Sequence, residues 1–330
     1  MNRRDIGTDD PRVKVRPGKG TRPRTKKRPN FADATPGTVT AVNRGRFTVA
    51  IPDQQRAVQA VKARALGRKG IVVGDKVSLE GDTSGTADTL ARIVTLEPRH
   101  TALRRTFDES ETGIKEKLIV ANATQMLIVV AAANPEPKPG MIDRAIVSAL
   151  DAGVKPLLAI TKTDLDAASN LTNRYKTLLP VWKLRRDNYD TGEFQDLRER
   201  LRGETTVLLG HSGVGKSTLI NALVPAAQRA TGEVNQVTGK GRHTSSSAIA
   251  LAVPDGWVID TPGVRSFGLA HVDEAGLVKG FSELNAIAQL CPRGCTHREG
   301  SPDCELDKHP EHAERLASLR RLLAEIPKPY

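Results

Sequence analysis

The apolar positions change texture along the chain. Between Thr35 and Pro98 they come in short β-branched runs: Gly37 to Val42, Arg46 to Ile51, Ile71 to Val73, Lys76 to Leu79 and Ala91 to Leu96. Gly and Asp separate them, as at Gly74-Asp75. Short strands at close spacing predict a small β-barrel over 35–98, of the OB type. Residues 99–118 are polar and charged and read as a linker. From Gln125 onward, strand-length apolar runs (125–131, 154–160, 181–184, 206–209) alternate with stretches of helical spacing (141–150, 165–178, 194–202, 217–223). That alternation predicts an α/β domain with a doubly wound parallel sheet over 119–274. A loop-rich segment, 275–330, ends in a predicted helix over 311–324.

Functional groups in such sheets sit at the carboxyl ends of strands. After the 206–209 run comes Gly210-His211-Ser212-Gly213-Val214-Gly215-Lys216-Ser217-Thr218, a P-loop at the start of a predicted helix. Glycines let successive N–H groups turn toward phosphate oxygens. Lys216 can reach the β- and γ-phosphates, and the Ser217 hydroxyl can ligate Mg²⁺. After the 154–160 run stands Thr161-Lys162-Thr163-Asp164. Asp164 can accept two hydrogen bonds from guanine, from the ring N–H and the exocyclic amine, while Lys162 lays its stem along the base. Adenine lacks those donors, and a mismatch of that kind discriminates by ~10⁴-fold. A third strand end carries Asp260-Thr261-Pro262-Gly263. There Asp260 would hold Mg²⁺ through water, and the Gly263 N–H would sense the γ-phosphate. In the polar stretch Gly239 to Thr244, Thr244 is the candidate hydroxyl that closes on Mg²⁺. The base motif precedes the P-loop, the reverse of the usual order, so the domain reads as circularly permuted.

Composition narrows the partners. The 330 residues are 38% hydrophobic and 27% charged, with a net charge of +12. A basic balance favours a polyanion, nucleic acid first. Residues 1–30 carry eleven Lys or Arg against three Asp, interrupted by four prolines. Residues 1–34 therefore read as a disordered basic tail that seeks RNA. The best apolar run, Met126 to Ala133, is strand-sized, so no membrane span is expected. The N-terminus has no apolar signal core, and the expected compartment is the cytoplasm. All three cysteines lie within Cys291 to Cys304, which argues against a disulfide framework. With His297 between them, Cys291, Cys295 and Cys304 suffice for one closed tetrahedral Zn²⁺ site with a structural role.

Taken together, GHSGVGKST at 210–218, TGEVNQVTGKGRHTS at 231–245, DTPGVRSFGL at 260–269 and the cysteine cluster resemble the ribosome small-subunit-dependent GTPase family RsgA, also called YjeQ. The resemblance covers residues 35–325. It implies a GTP hydrolase, stimulated by the small ribosomal subunit, that assists late maturation of that subunit. The implied partners are the subunit and its rRNA, with the protein a monomer. His243 matches the family's switch histidine and is the candidate for positioning the attacking water, beside Lys216, Thr244 and Gly263. Val264 follows Gly263 and cannot orient water, so slow intrinsic hydrolysis is expected. Two positions depart from the usual GTPase pattern. Thr161 stands where Asn is usual, and Leu184-Arg185 stands where the guanine O6 contact is expected. Two competing readings remain: an RNA-binding ATPase, and a nucleotide-binding RNA module without turnover.

Overall fold

The computed structural model describes residues 31, 33–52, 54, 56–67, 70–110, 113–185, 192–225, 248–262 and 274–325. The basic segment 1–30, His243, Thr244 and Gly263 lie outside the described residues. The chain divides after Asp33, and the unit Ala34–Tyr330 holds every element below.

Five strands form the barrel: β1 (Thr35–Asn43), β2 (Arg46–Ala50), β3 (Val58–Lys62), β4 (Lys76–Glu80) and β5 (Ala91–Leu96). β1 pairs with β2, β2 with β3, β3 with β5 in parallel, β5 with β4, and β4 returns to β1, closing the ring. Alternation sets the interior, where Val39, Phe47, Val49, Val58, Val77, Leu79 and Ile93 are buried together. The expected OB-type barrel is present, with one strand reassigned. Ile71 to Val73 forms no strand and makes only the bridge Val73 to Val120. The missing strand is β3, whose fully buried members are Val58 and Ala60. Ala60 is too small to mark a β-branched run.

The expected linker is also corrected. Residues 102–121 form an antiparallel hairpin, β6 (Ala102–Ser110) with β7 (Gly113–Ala121). Two register shifts, near Leu103/Arg104 and Thr106/Asp108, break the period-2 signal that would have marked it. Arg99, just before it, grips the buried Asp75 carboxylate with Nε at 2.6 Å and Nη2 at 2.8 Å. A Cβ at Gly74 would lie 2.0 Å from the Ala121 carbonyl oxygen, so barrel and hairpin meet backbone to backbone.

The second sheet region contains β8 (Gln125–Ala131), β9 (Lys155–Thr161), β10 (Val181–Lys183), β11 (Thr205–Leu209), β12 (Ile249–Val253) and β13 (Gly256–Asp260). The order is β10-β9-β8-β11-β13-β12, continuing into β1 of the barrel. The first five are parallel, as expected. β12 is antiparallel to β13 and makes the sheet mixed, because Pro254-Asp255 turns the chain straight back, with Asp255 at φ 58°. All seven residues of β8 are buried, which is why it reads as a continuous apolar run. Its alternate side chains feed two layers. Leu127, Val129 and Ala131 face the layer of α3 (Gly192–Leu201) and α4 (Lys216–Leu223). Met126, Ile128 and Val130 face the layer of α1 (Pro139–Asp151) and α2 (Ser169–Tyr175).

The helix expected over 165–178 is shorter than its apolar spacing. Asp166 accepts a bond from the Ala168 N–H at 2.6 Å, and Ala168 sits at φ 52°, so the chain turns before it can enter α2. The C-terminal segment supplies α5 (Glu274–Lys279), α6 (Ser282–Ala288), 3₁₀ turns at Glu305–Lys308 and Pro310–His312, and α7 (Ala313–Glu325). Leu277, Phe281, Leu284, Leu306, Leu319 and Leu323 join the core on the α1 side of the sheet.

Candidate nucleotide site and metal centre

The P-loop leaves β11 at its carboxyl end and enters α4. Gly213 and Gly215 take φ of 82° and 86°, a region that side chains avoid. At Gly210 a Cβ would meet the Val129 carbonyl oxygen at 2.6 Å, so the loop must begin with glycine to lie on β8. The loop walls a cavity of about 400 Å³ together with Thr161 and Lys162 from the end of β9. His211, Ser212, Gly213, Gly215, Lys216, Ser217 and Thr218 complete the wall. Val214 is buried beneath it.

Thr161 is 4% exposed. Its hydroxyl lies 2.5 Å from the Val214 carbonyl oxygen and 3.1 Å from that of Val130. It therefore ties the base motif to the P-loop. The Lys162 ammonium donates to the Asn134 carbonyl, in the loop that precedes α1. Asp164 is exposed and lies beyond the cavity wall. The Thr163 N–H donates to the Leu184 carbonyl at 3.2 Å, which brings the Leu184-Arg185 segment against the base motif.

Lys216 and Asp260 are paired, Nζ to Oδ1, at 2.7 Å, with side chains 13% and 20% exposed. Thr261, next along, is 1% exposed and donates its hydroxyl to the Leu208 carbonyl at 2.8 Å, locking the end of β13 to β11. The Ser217 hydroxyl and the Asp260 carboxylate form a hard oxygen donor set that suits Mg²⁺. Neither the Lys216–Asp260 pair nor the Asn134 contact was legible in the sequence: the first joins two separate motifs, and Asn134 belongs to no motif.

The candidate metal centre lies between α6 and α7. The ligand atoms of Cys291, Cys295, His297 and Cys304 all fall within 4.8 Å of one another. His297 Nδ1 is 3.5 Å from Cys295 Sγ and 3.9 Å from Cys304 Sγ. Tetrahedral Zn²⁺ bonds of ~2.1–2.3 Å place ligand atoms ~3.5–3.8 Å apart, so the cluster fits a zinc ion. Gly294 at φ 82° and His297 at φ 57° bend the loop around this point. Burial pushes the Cys304 thiol up to about 11, and the neighbouring Cys295 and Cys291 push it the same way. Burial also lowers the His297 pKa, favouring the neutral imidazole that a metal needs. The Glu305 N–H donates to Cys291 Sγ at 3.3 Å. Arg320 donates to the His297 carbonyl at 3.2 Å and clamps Asp307 with two bonds of 2.7 and 2.9 Å. His309 pairs with Glu311 at 2.9 Å and stands outside the cluster.

A family model described as RsgA GTPase matches residues 96–270. The protein named small ribosomal subunit biogenesis GTPase RsgA in Pseudomonas syringae pv. syringae (strain B728a) is 35% identical over 271 residues, covering 78% of this chain and 76% of that one. The protein of the same name in Pseudomonas aeruginosa (strain LESB58) matches with the same identity and coverage. Among solved structures, YjeQ from Thermotoga maritima superposes with a TM-score of 0.65 at 24% identity, over 90% of this chain and 99% of that one. YloQ, described as a circularly permuted GTPase, gives 0.64 at 21% identity, over 90% and 97%. These two structural likenesses establish the fold.

Proposed function

This chain belongs to the RsgA GTPase family, and on that premise we propose that it binds the small ribosomal subunit through its rRNA, assists late maturation of that subunit, and leaves after hydrolysing GTP. It would work as a monomer in the cytoplasm. One observation carries the reading most directly. The P-loop cradle, the Lys216–Asp260 pair and the Thr161-Lys162-Thr163-Asp164 loop stand at the carboxyl ends of β11, β13 and β9, parallel strands of one sheet, where nucleotides bind in such sheets.

In this reading GTP lays its phosphates over Gly210 to Thr218, and Lys216 leaves Asp260 to meet the β- and γ-phosphates. Mg²⁺, held by Ser217, Thr244 and Asp260, would neutralise charge on the phosphates. Asp164 reads the guanine edge, and Lys162 covers its face. Thr161 supports both by fixing the P-loop. The Gly263 N–H touches the γ-phosphate, and His243 orients the water that attacks it. Val264 leaves no glutamine beside that water, so hydrolysis depends on the subunit to complete the site. The zinc ion, held by Cys291, Cys295, His297 and Cys304, organises the C-terminal module. GTP hydrolysis with and without purified small subunits tests the proposal. A rate unchanged by subunits would overturn it. Hydrolysis of ATP at the same efficiency as GTP would favour the ATPase reading.

A further inference from the structure

A second cavity, of about 700 Å³, lies at the opposite end of the sheet from the P-loop. It opens where β9 begins, at Lys155, and is bordered by the end of α1, the segment before β10, and the α5–α6 turn. The C-terminal module thus supplies one wall and the GTPase sheet the other. At the junction a Cβ on Gly280 would lie 2.8 Å from Leu150 Cδ2, so the two walls are in close contact there. The size suits a small organic group.

Two features define what the cavity can hold. The first is a flat cationic plate. The Arg315 guanidinium donates from Nε to Glu283 at 2.6 Å, and from Nη1 to the Thr177 and Leu178 carbonyls at 2.9 and 3.0 Å. It lies over the Phe281 ring at 4.8 Å, so its orientation is fixed before anything binds. One face meets Phe281, while the side chain, 27% exposed, lines the cavity, where a second planar group could stack on it. The second feature is unbalanced charge. Lys155 and Lys279 are exposed and form no ion pair among the described residues. Asp151 is the only acid among the lining residues. A flat body and an anionic group are the chemistry of a nucleotide, and unpaired RNA bases stack on guanidinium planes as they do on aromatic rings. Phe281, at 1% exposure, is already covered by Arg315, so stacking falls to the arginine.

We infer that this cavity takes one unstacked nucleotide of single-stranded RNA, the base on Arg315 and the adjoining phosphates on Lys155 and Lys279. The inference rests on the rRNA-binding reading above and names a contact for it, away from the nucleotide site. The test uses the full chain with zinc, loaded with GDP and Mg²⁺ so that the P-loop is filled. The probes are two labelled nine-residue RNAs, one wholly abasic and one carrying a single central adenine, compared by fluorescence anisotropy. The adenine should tighten binding about tenfold. Arg315→Lys, which keeps the charge but loses the plane, should remove that gain and leave binding of the abasic RNA unchanged. Lys155→Glu with Lys279→Glu should weaken both RNAs about tenfold, and it serves alone if Arg315→Lys does not fold. No gain from adenine, a gain that survives Arg315→Lys, or unchanged affinity in the double variant would overturn the inference. So would free 5′-AMP binding as tightly as the adenine-bearing RNA. Subunit-stimulated GTP hydrolysis of the unaltered chain, measured in parallel, separates the two readings. Stimulation without an adenine gain sinks only the cavity, whereas absence of stimulation sinks the proposed function.

Discussion

The Lys216–Asp260 pair makes a prediction that runs against the usual effect of damaging a nucleotide site. At 2.7 Å, with both side chains mostly buried, the pair engages the P-loop lysine that a phosphate would otherwise meet. Unit charges ~4 Å apart attract by ~4 kcal/mol at an effective dielectric of about 20. Desolvation of both ions offsets much of that. Partly exposed pairs of this kind retain about 1 kcal/mol, which nucleotide binding must overcome. Asp260→Asn keeps the shape and a weak acceptor but removes the charge. Without Mg²⁺, the variant should therefore bind GDP about five- to tenfold more tightly than the unaltered chain, since 1.4 kcal/mol is tenfold. With Mg²⁺ the order reverses for turnover, and hydrolysis should fall by on the order of 100-fold through the lost metal contact. The assay is titration of fluorescent GDP in EDTA and again in Mg²⁺, followed by single-turnover hydrolysis. Equal or weaker GDP binding by Asp260→Asn in EDTA would refute the reasoning.

Other outcomes follow from the same geometry. Thr161→Val leaves the Val214 carbonyl without its hydroxyl donor and should cost about 1–3 kcal/mol in thermal stability, with weaker GTP binding; Thr161→Ser should restore both, and full stability in the valine variant would exclude the tie. Asp164→Asn should weaken GTP and admit xanthosine triphosphate, as competition binding would read; unchanged GTP affinity would remove Asp164 from the site. Deleting residues 1–30 should flatten the salt dependence of RNA binding while leaving nucleotide affinity alone. The unaltered chain should prefer small subunits with a non-hydrolysable GTP analogue over GDP by at least tenfold, ~1.4 kcal/mol, and Cys295→Ser should lose most of that preference.

The legible parts of the molecule are those where one stretch of chain carries the whole signal. The P-loop announces itself because loop, lysine and helix start are contiguous, and β8 because both its faces are buried. The cluster of three cysteines and a histidine is legible for the same reason, all four candidate ligands falling within fourteen residues. What stayed hidden depends on distant partners. Residues 99–118 read as linker because polar residues and register shifts conceal a hairpin, and because Arg99 finds its reason only in Asp75. Thr161 stands where the usual pattern has Asn. Its burial and its bond to Val214 tie the base motif to the P-loop, and no spacing rule reveals that. Asp166 shortened α2 through a local bond that competes with the helix, an effect apolar periodicity does not register.

The C-terminal segment also reads in the sequence as an appendage organised by metal, yet its packing makes it part of the GTPase core. Leu277, Phe281, Leu284, Leu306, Leu319 and Leu323 are each at most 1% exposed. Full burial of such side chains contributes about 1.5–3 kcal/mol apiece, so the set contributes on the order of 10 kcal/mol, comparable to the net stability of a whole domain. The attachment has a polar component as well. Asp143, on α1 and 2% exposed, accepts from the Tyr175 hydroxyl at 2.9 Å and faces Arg174 at 3.3 Å and Arg321 of α7 at 3.5 Å. Breaking one partner of such a cluster strands a buried charge, which costs more than the pair itself contributes. α1 is therefore held at two points, before its first turn and within its N-terminal half. Its entry loop receives Lys162 from the base motif through Asn134, and Asp143 receives Arg321 from the helix that follows the metal centre. A displacement of α1 cannot be confined to one of these sites, because the side chains that fix it belong to both.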